Sequence, residues 1–203
     1  MKYHSLGLAL SLLLPAALPA QDRPAIEAFG GAEPDERGST RVLYWDRQKD
    51  LGAGEFAIDY GRPVWKKDYE DLAKFDGMTK GKTWRLGKDF WTVLDTNVLL
   101  RFSGRDVRVG TYYLGLSQSE HGQQWELAFI DPARVRKERL DAFNIDKAPI
   151  EFKVPMEPEE KGTGTMAEKL VIRFSYSKEN PKEVTMSIAW GKLQLKTRVQ
   201  VVM

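Results

Sequence analysis

The strongest constraint on the fold of this chain is an alternation of apolar and polar residues at every second position. Three segments near the end of the chain show it: 168–176, 184–190 and 193–201. In the second of these, Val184, Met186, Ile188 and Trp190 alternate with polar or small residues. Successive side chains of a strand point to opposite faces, so the pattern predicts strands with one buried and one solvated face.

Shorter segments with the same period occur through the rest of the chain. They lie at 42–45, 56–60, 98–102, 107–109, 111–116, 125–129 and 150–154. About nine or ten short, one-sided strands predict two packed antiparallel sheets, a β-sandwich, with a β-barrel as the second choice. Gly191 and Lys192 separate the last two segments and predict a tight hairpin turn.

One short helix is predicted, over residues 132–143. Asp131 can cap its start, Pro132 suits its first turn, and two apolar residues within it are spaced to face inward. Residues 66–75 leave room for a further turn of helix. The predicted fold is therefore mostly β.

The first twenty residues have the layout of a secretory signal. Lys2 precedes an apolar run over residues 6–14, and small residues lead to a cleavage site after Ala20 or Ala17. The run is shorter than the ~20 residues that a membrane-spanning helix needs, so we expect no transmembrane anchor after cleavage. The expected location is the periplasm or the outside of the cell.

The chain divides into three parts on this interpretation. Residues 1–20 form the signal, and residues 21–40 mix proline, glycine and charge without periodicity, which predicts a flexible lead-in. Residues 41–203 then form a single β-sandwich domain, a length that suits one hydrophobic core.

Charge and residue usage exclude several classes of function. The net charge of the chain is +2, with both signs interspersed, which gives no electrostatic reason to expect nucleic acid as a partner. The absence of cysteine removes thiol nucleophiles and thiolate metal sites, and His121 is the only histidine outside the signal. We therefore predict no metal site, no cofactor and no residue of catalytic role.

Several short motifs occur together in a fixed order. They are residues 58–63 (IDYGRP), 82–87 (KTWRLG), 109–114 (VGTYYL) and 125–127 (WEL), followed by an alternating strand pair that contains Trp190. In this order and spacing the chain resembles a bacterial exported family, domain of unknown function 2911, over about residues 50–203. Members typically carry a small polar run after the Trp-Arg motif, where this chain has Phe90 and Trp91 after a charged turn. The resemblance implies export and a β-rich domain, and it implies no activity.

One group of residues combines aromatic rings with guanidinium groups: Tyr60, Arg62, Trp65, Trp84 and Arg85. Rings stack on sugar faces, and guanidinium groups form planar hydrogen bonds with anions and with protein partners. We therefore predict a non-catalytic binding module whose partner is a small molecule, a glycan or an envelope protein. The alternative role for the same residues is structural, in the core and in the loops that join strands.

The sequence leaves two other functions open. A hydrolase acting on a glycan or another envelope polymer would need two of Glu55, Asp59, Asp89 and Asp95 in one cleft, at least one of them partly buried. An accessory subunit of an envelope complex would pair an exposed edge strand with its partner.

Overall fold

The computed structural model describes residues 36–159 and 166–203. The predicted signal, residues 1–20, lies outside the described residues, as do residues 21–35 of the predicted lead-in. Residues 37–40 belong to the first strand, so regular structure begins earlier than predicted. The reason is pairing: Gly38 lies opposite Tyr60, and its missing side chain leaves the space that the tyrosine ring occupies.

Twelve strands make up most of the described chain. They are β1 (Arg37–Asp46), β2 (Leu51–Gly61), β3 (Thr83–Trp84), β4 (Thr92–Thr96), β5 (Leu99–Phe102), β6 (Arg105–Val107), β7 (Gly110–Gln118), β8 (Trp125–Ile130), β9 (Ile150–Pro158), β10 (Ala167–Tyr176), β11 (Glu183–Gly191) and β12 (Leu193–Val202). The number exceeds the predicted nine or ten because β3 and β4 show no apolar alternation: β3 has only two residues, and β4 buries Thr92 and Thr96 on its inner face.

The strands form one open antiparallel sheet in the order β1-β2-β4-β7-β8-β9-β12-β11-β10. Besides this path, β3 pairs with β7, and β5 pairs with β12 and β6. The long strand β9 joins the two halves, because its first part pairs with β8 and its last two residues, Glu157 and Pro158, pair with β12. The sheet is not closed, so the barrel, the second choice, is wrong.

The two halves of the sheet enclose one hydrophobic core, as predicted for a sandwich. Phe56 on β2 meets Phe174 on β10 edge to face, with ring centroids 4.8 Å apart. Phe102 on β5 meets Phe129 on β8 in the same way at 5.3 Å. Such pairs stabilise a core beyond the area that they bury.

Among the described residues, two short α-helices lie outside the sheet: the predicted one, and another that begins within residues 66–75, where the sequence left room for a further turn. Helix α1 spans Leu72–Thr79 and fully buries none of its residues, although Phe75 packs partly buried against the core. Helix α2 spans Pro132–Glu138 with the predicted cap at Asp131 and proline in its first turn. It ends before the predicted boundary because Arg139 adopts a left-handed conformation, with φ of 53°.

Candidate functional site

Three of the predicted binding residues bond to the outer edge of strand β10. The Tyr60 hydroxyl accepts a hydrogen bond from the Ile172 N–H at 2.9 Å and donates one to its carbonyl at 3.3 Å. The Arg62 Nε donates to the Leu170 carbonyl at 3.2 Å. The Trp65 N–H donates to the Glu168 carbonyl at 2.6 Å. These residues satisfy backbone groups that an edge strand otherwise leaves open.

The two predicted tryptophans meet at the buried Trp190. The Trp84 ring stacks on it, with centroids 4.8 Å apart and planes 19° apart. The Trp65 ring meets it edge to face at 5.0 Å. Both rings are partly buried against the core, so this contact explains their presence as structural residues.

The Arg85 side chain makes different contacts from those of the other four residues. Its guanidinium carbon is 3.8 Å from the ring centroid of Phe143, and its Nε donates to the Gly87 carbonyl at 3.4 Å. The five predicted residues therefore do not form one site. Phe143, which Arg85 contacts, lines a depression on the outer face of the sheet.

We call this depression the aromatic groove, and its volume is about 400 Å³. Its main lining residues are Phe90, Trp91, Tyr113, Val135, Arg136 and Phe143, with Asp89 and Asp141 also in its wall. The volume lies within the range of small-molecule sites, roughly 300–1,000 Å³.

Aromatic rings dominate the aromatic groove. Trp91 and Tyr113 stack with centroids 4.8 Å apart and planes only 4° apart. Phe90 and Phe143 are 60% and 66% exposed, which is unusual for such large apolar side chains. Exposed rings that line a depression are typical of a surface that contacts a ligand or a partner.

A pinned loop between β3 and β4 positions Phe90 and Trp91. Leu86 is fully buried at the start of this loop, and its carbonyl accepts a hydrogen bond from the buried Thr92 hydroxyl. Asp89 adopts a left-handed conformation, with φ of 62°. The loop is thus fixed at both ends, so its aromatic residues keep their places.

The opposite wall of the aromatic groove comes from α2 and the 3₁₀ helix Ala142–Lys147. Asp141 caps this 3₁₀ helix by accepting from the Phe143 N–H at 2.8 Å. Val135 is buried on the inner side of α2, as predicted, and it anchors the helix to a small second cluster that contains Ile130. Both helices are short, and their caps set where the side chains of this wall point.

The two acidic side chains at the aromatic groove have polar partners, whereas its arginine has no acidic partner among the described residues. The Asp141 carboxylate caps the 3₁₀ helix, and the Asp89 carboxylate lies 3.2 Å from the Lys88 ammonium group. The Arg136 guanidinium lies 5.8 Å from the Tyr113 ring centroid and makes no ion pair with any residue that the structure describes. A ligand in the groove therefore meets a guanidinium group whose donors are available.

The four carboxylates considered for a hydrolase are all exposed. Asp59 pairs with Arg37 at 2.5 Å, and Asp95 accepts from the Thr111 hydroxyl at 2.7 Å. Asp89 lines the aromatic groove, whereas Glu55 lies on β2. A hydrolase would need a pair with a partly buried member, and these four residues do not provide one. In the described residues, no cluster of acidic or histidine side chains is arranged to hold a metal ion.

Comparison with known proteins identifies the family. The profile of the family described as "Protein of unknown function (DUF2911)" matches residues 46–199. The chain belongs to this family. The match confirms the resemblance seen in the sequence motifs. No curated protein matches the chain, and no solved structure does.

The groove of this DUF2911 protein contains residues that sequence reasoning did not single out. Phe90 and Trp91 stood out only as a departure from the usual family pattern, and Phe143 fell within the predicted helix. One signal was present: both phenylalanines stand outside any apolar alternation, Phe90 directly after Asp89 and Phe143 two positions after Asp141. Across both described ranges, no helix has the length and apolarity that crossing a bilayer requires.

Proposed function

We propose that this DUF2911 protein is a non-catalytic binding module whose aromatic groove holds a sugar ring. The observation that supports this most is the near-parallel stack of Trp91 on Tyr113 beside the exposed ring of Phe143. Flat apolar rings match the C–H faces of a sugar, and they lose little conformational freedom when they are covered.

The polar groups of the groove suit the same ligand. Arg136 supplies hydrogen-bond donors, and the Asp89 carboxylate supplies acceptors at the rim. Sugar hydroxyls both donate and accept, so they use both kinds of group. An apolar peptide side chain would use neither.

Removal of the Trp91 ring tests the sugar proposal. We expect at least one member of a panel of neutral, N-acetylated and acidic di- and trisaccharides to bind the protein in isothermal titration calorimetry. Trp91→Ala should weaken that binding about tenfold or more, because it removes half of the stacked pair. Calorimetry is preferred to fluorescence because the variant also removes a fluorophore.

Trp45→Ala is the matched control. Trp45 is 53% exposed near the end of β1, whereas the carbonyl of Trp91 lies beside Arg37 at the start of that strand. The control should bind the saccharide as the unmodified protein does. The proposal is wrong if no saccharide binds, or if Trp91→Ala binds as tightly as the unmodified protein.

We also propose that the protein is exported and acts in the periplasm or outside the cell. The support is the sequence of residues 1–20, with its basic start, its apolar run and its small residues before position 21. Intact-mass measurement of the protein from the host envelope fraction should show a chain that begins after Ala17 or Ala20. Recovery of the full-length chain from the cytosol would contradict export.

A further inference from the structure

A second, larger depression lies where the β5–β6 hairpin meets β7 and β9. Its volume is about 980 Å³, and its walls include Arg101, Arg105, Arg108, Tyr112, Glu151 and Phe152. We call it the arginine cleft. Its lining shares no residue with that of the aromatic groove.

The hairpin that forms one wall of the arginine cleft has a defined turn. Ser103 and Gly104 link β5 to β6, with φ of 43° and 87°. Positive φ at both central residues is typical of the two-residue turns that match the twist of paired strands. The turn fixes where Arg105 begins the next strand.

One arginine of the cleft is already paired. The Arg101 Nε donates to the Asp106 carboxylate at 2.6 Å, and the Arg101 Nη1 donates to the Gln200 side-chain oxygen at 3.4 Å. The hydrogen bond from Arg101 lowers the pKa of Asp106, so this carboxyl group stays ionised and bound. Because its charge is paired with Asp106, Arg101 contributes to the wall of the cleft but not to the binding of an anion.

The other two arginines keep their charge available. Neither Arg105 nor Arg108 makes an ion pair with a residue in the described ranges. Among the described residues, two carboxylates line the cleft, Asp106 and Glu151. Positive charge is thus in excess within the lining.

The floor of the cleft is aromatic and rigid. Phe152 lies 5.0 Å below the Arg105 guanidinium carbon, measured from its ring centroid. The same ring stacks on the buried Phe129, with centroids 4.7 Å apart. Tyr112 packs edge to face on Phe129 at 5.9 Å and donates its hydroxyl to the Arg108 carbonyl at 3.2 Å. Both floor residues are therefore held by the core.

We propose that the arginine cleft binds a small molecule that carries a carboxylate or phosphate group on a flat or apolar body. Arg105 and Arg108 would hold the anionic group, since guanidinium donors match carboxylate and phosphate oxygens in geometry and charge. The Tyr112 ring and the edge of the Phe152 ring, whose faces meet Phe129 and Arg105, would contact the apolar body. Burial raises the pKa of Tyr112, which keeps its phenol neutral beside an incoming anion.

Nuclear magnetic resonance of the protein tests this inference. Phenyl phosphate and benzoate serve as separate probes, and benzyl alcohol, which has the same ring without the charge, serves as the control ligand. We expect saturable shifts of the Gly104 and Arg105 amide signals with at least one anion and none with the alcohol. The two anions show whether the cleft prefers phosphate or carboxylate.

The double variant Arg105→Gln/Arg108→Gln should weaken this binding about tenfold or more, since each charged hydrogen bond contributes substantially to affinity. The matched variant Arg47→Gln/Arg134→Gln, which changes two exposed arginines elsewhere, should leave it unchanged. Absence of saturable shifts with both anions, equal shifts with the alcohol, or full binding by the first variant would overturn the inference. Trp91→Ala should not alter anion binding, so failure of the sugar proposal is a separate outcome.

Discussion

Replacing Trp190 with alanine is expected to lower the free energy of unfolding by about 3–5 kcal/mol, a large part of the stability of a typical domain. Trp190 is only 6% exposed, and its indole N–H donates to the Pro63 carbonyl at 2.9 Å. Three other rings pack on it: Trp65, Trp84 and Tyr69. Truncation removes a surface that holds two separate segments of the chain to β11, so the cavity cannot close locally.

Chemical denaturation of the protein measures this loss. Trp190→Phe keeps a smaller ring and removes the indole donor, while the Pro63 carbonyl still accepts from the Leu170 N–H at 3.0 Å, so we expect a smaller loss of about 1–3 kcal/mol. Trp45→Ala removes an exposed ring and should change stability by about 0.5 kcal/mol or less. If Trp190→Ala stays within about 1 kcal/mol of the unmodified protein, the rings packed around Trp190 do not hold these segments to β11.

The alternation of the sequence was sufficient to assign the faces of the long strands. On β11, Val184, Met186, Ile188 and Trp190 are all buried, as the period of two predicts. The same rule succeeds on β12, where Leu195, a member of the predicted apolar set, is 1% exposed. A period is a local property, and burial on one face of a strand follows from it directly.

The partners of the predicted site residues could not be obtained in the same way. Tyr60 bonds to Ile172, and Arg62 bonds to Leu170, each across more than 100 positions of sequence. Nothing in the spacing of residues 58–63 indicates which edge strand they will meet. The sequence showed an aromatic and basic group, and only the fold shows that three of its members, Tyr60, Arg62 and Trp65, bond to the edge of β10.

The aromatic groove could not be predicted from the sequence for the same reason. Trp91 lies just before β4, Tyr113 lies on β7, and Phe143 follows α2. Their proximity depends on the pairing of β4 with β7 and on the packing of α2 against the sheet. Residue types alone could mark each of them as an exposed aromatic residue, but they could not bring the three together.

The loop that carries Phe90 and Trp91 depends on one glycine, and this dependence gives the second large effect. A Cβ atom on Gly61 would overlap the backbone carbonyl oxygen of Lys88 and lie 2.8 Å from its nitrogen. Lys88 cannot retreat easily, because Leu86 is buried on one side of it. Gly61→Ala is therefore expected to destabilise the domain by about 3 kcal/mol, the upper end of the usual cost of overpacking.

Gly77→Ala provides the matched control for this substitution. Gly77 lies in α1, a Cβ atom there meets nothing within 4 Å, and alanine favours the helix, so this variant should be neutral or more stable by about 0.5–1 kcal/mol. Thermal denaturation compares the two variants.

Because the clash displaces the backbone that positions Phe90 and Trp91, Gly61→Ala should also weaken any saccharide binding that depends on Trp91, whereas Gly77→Ala should not. Equal stability of the two variants would show that the loop accommodates the added methyl group, and the groove would then be less rigid than the packing around Gly61 indicates.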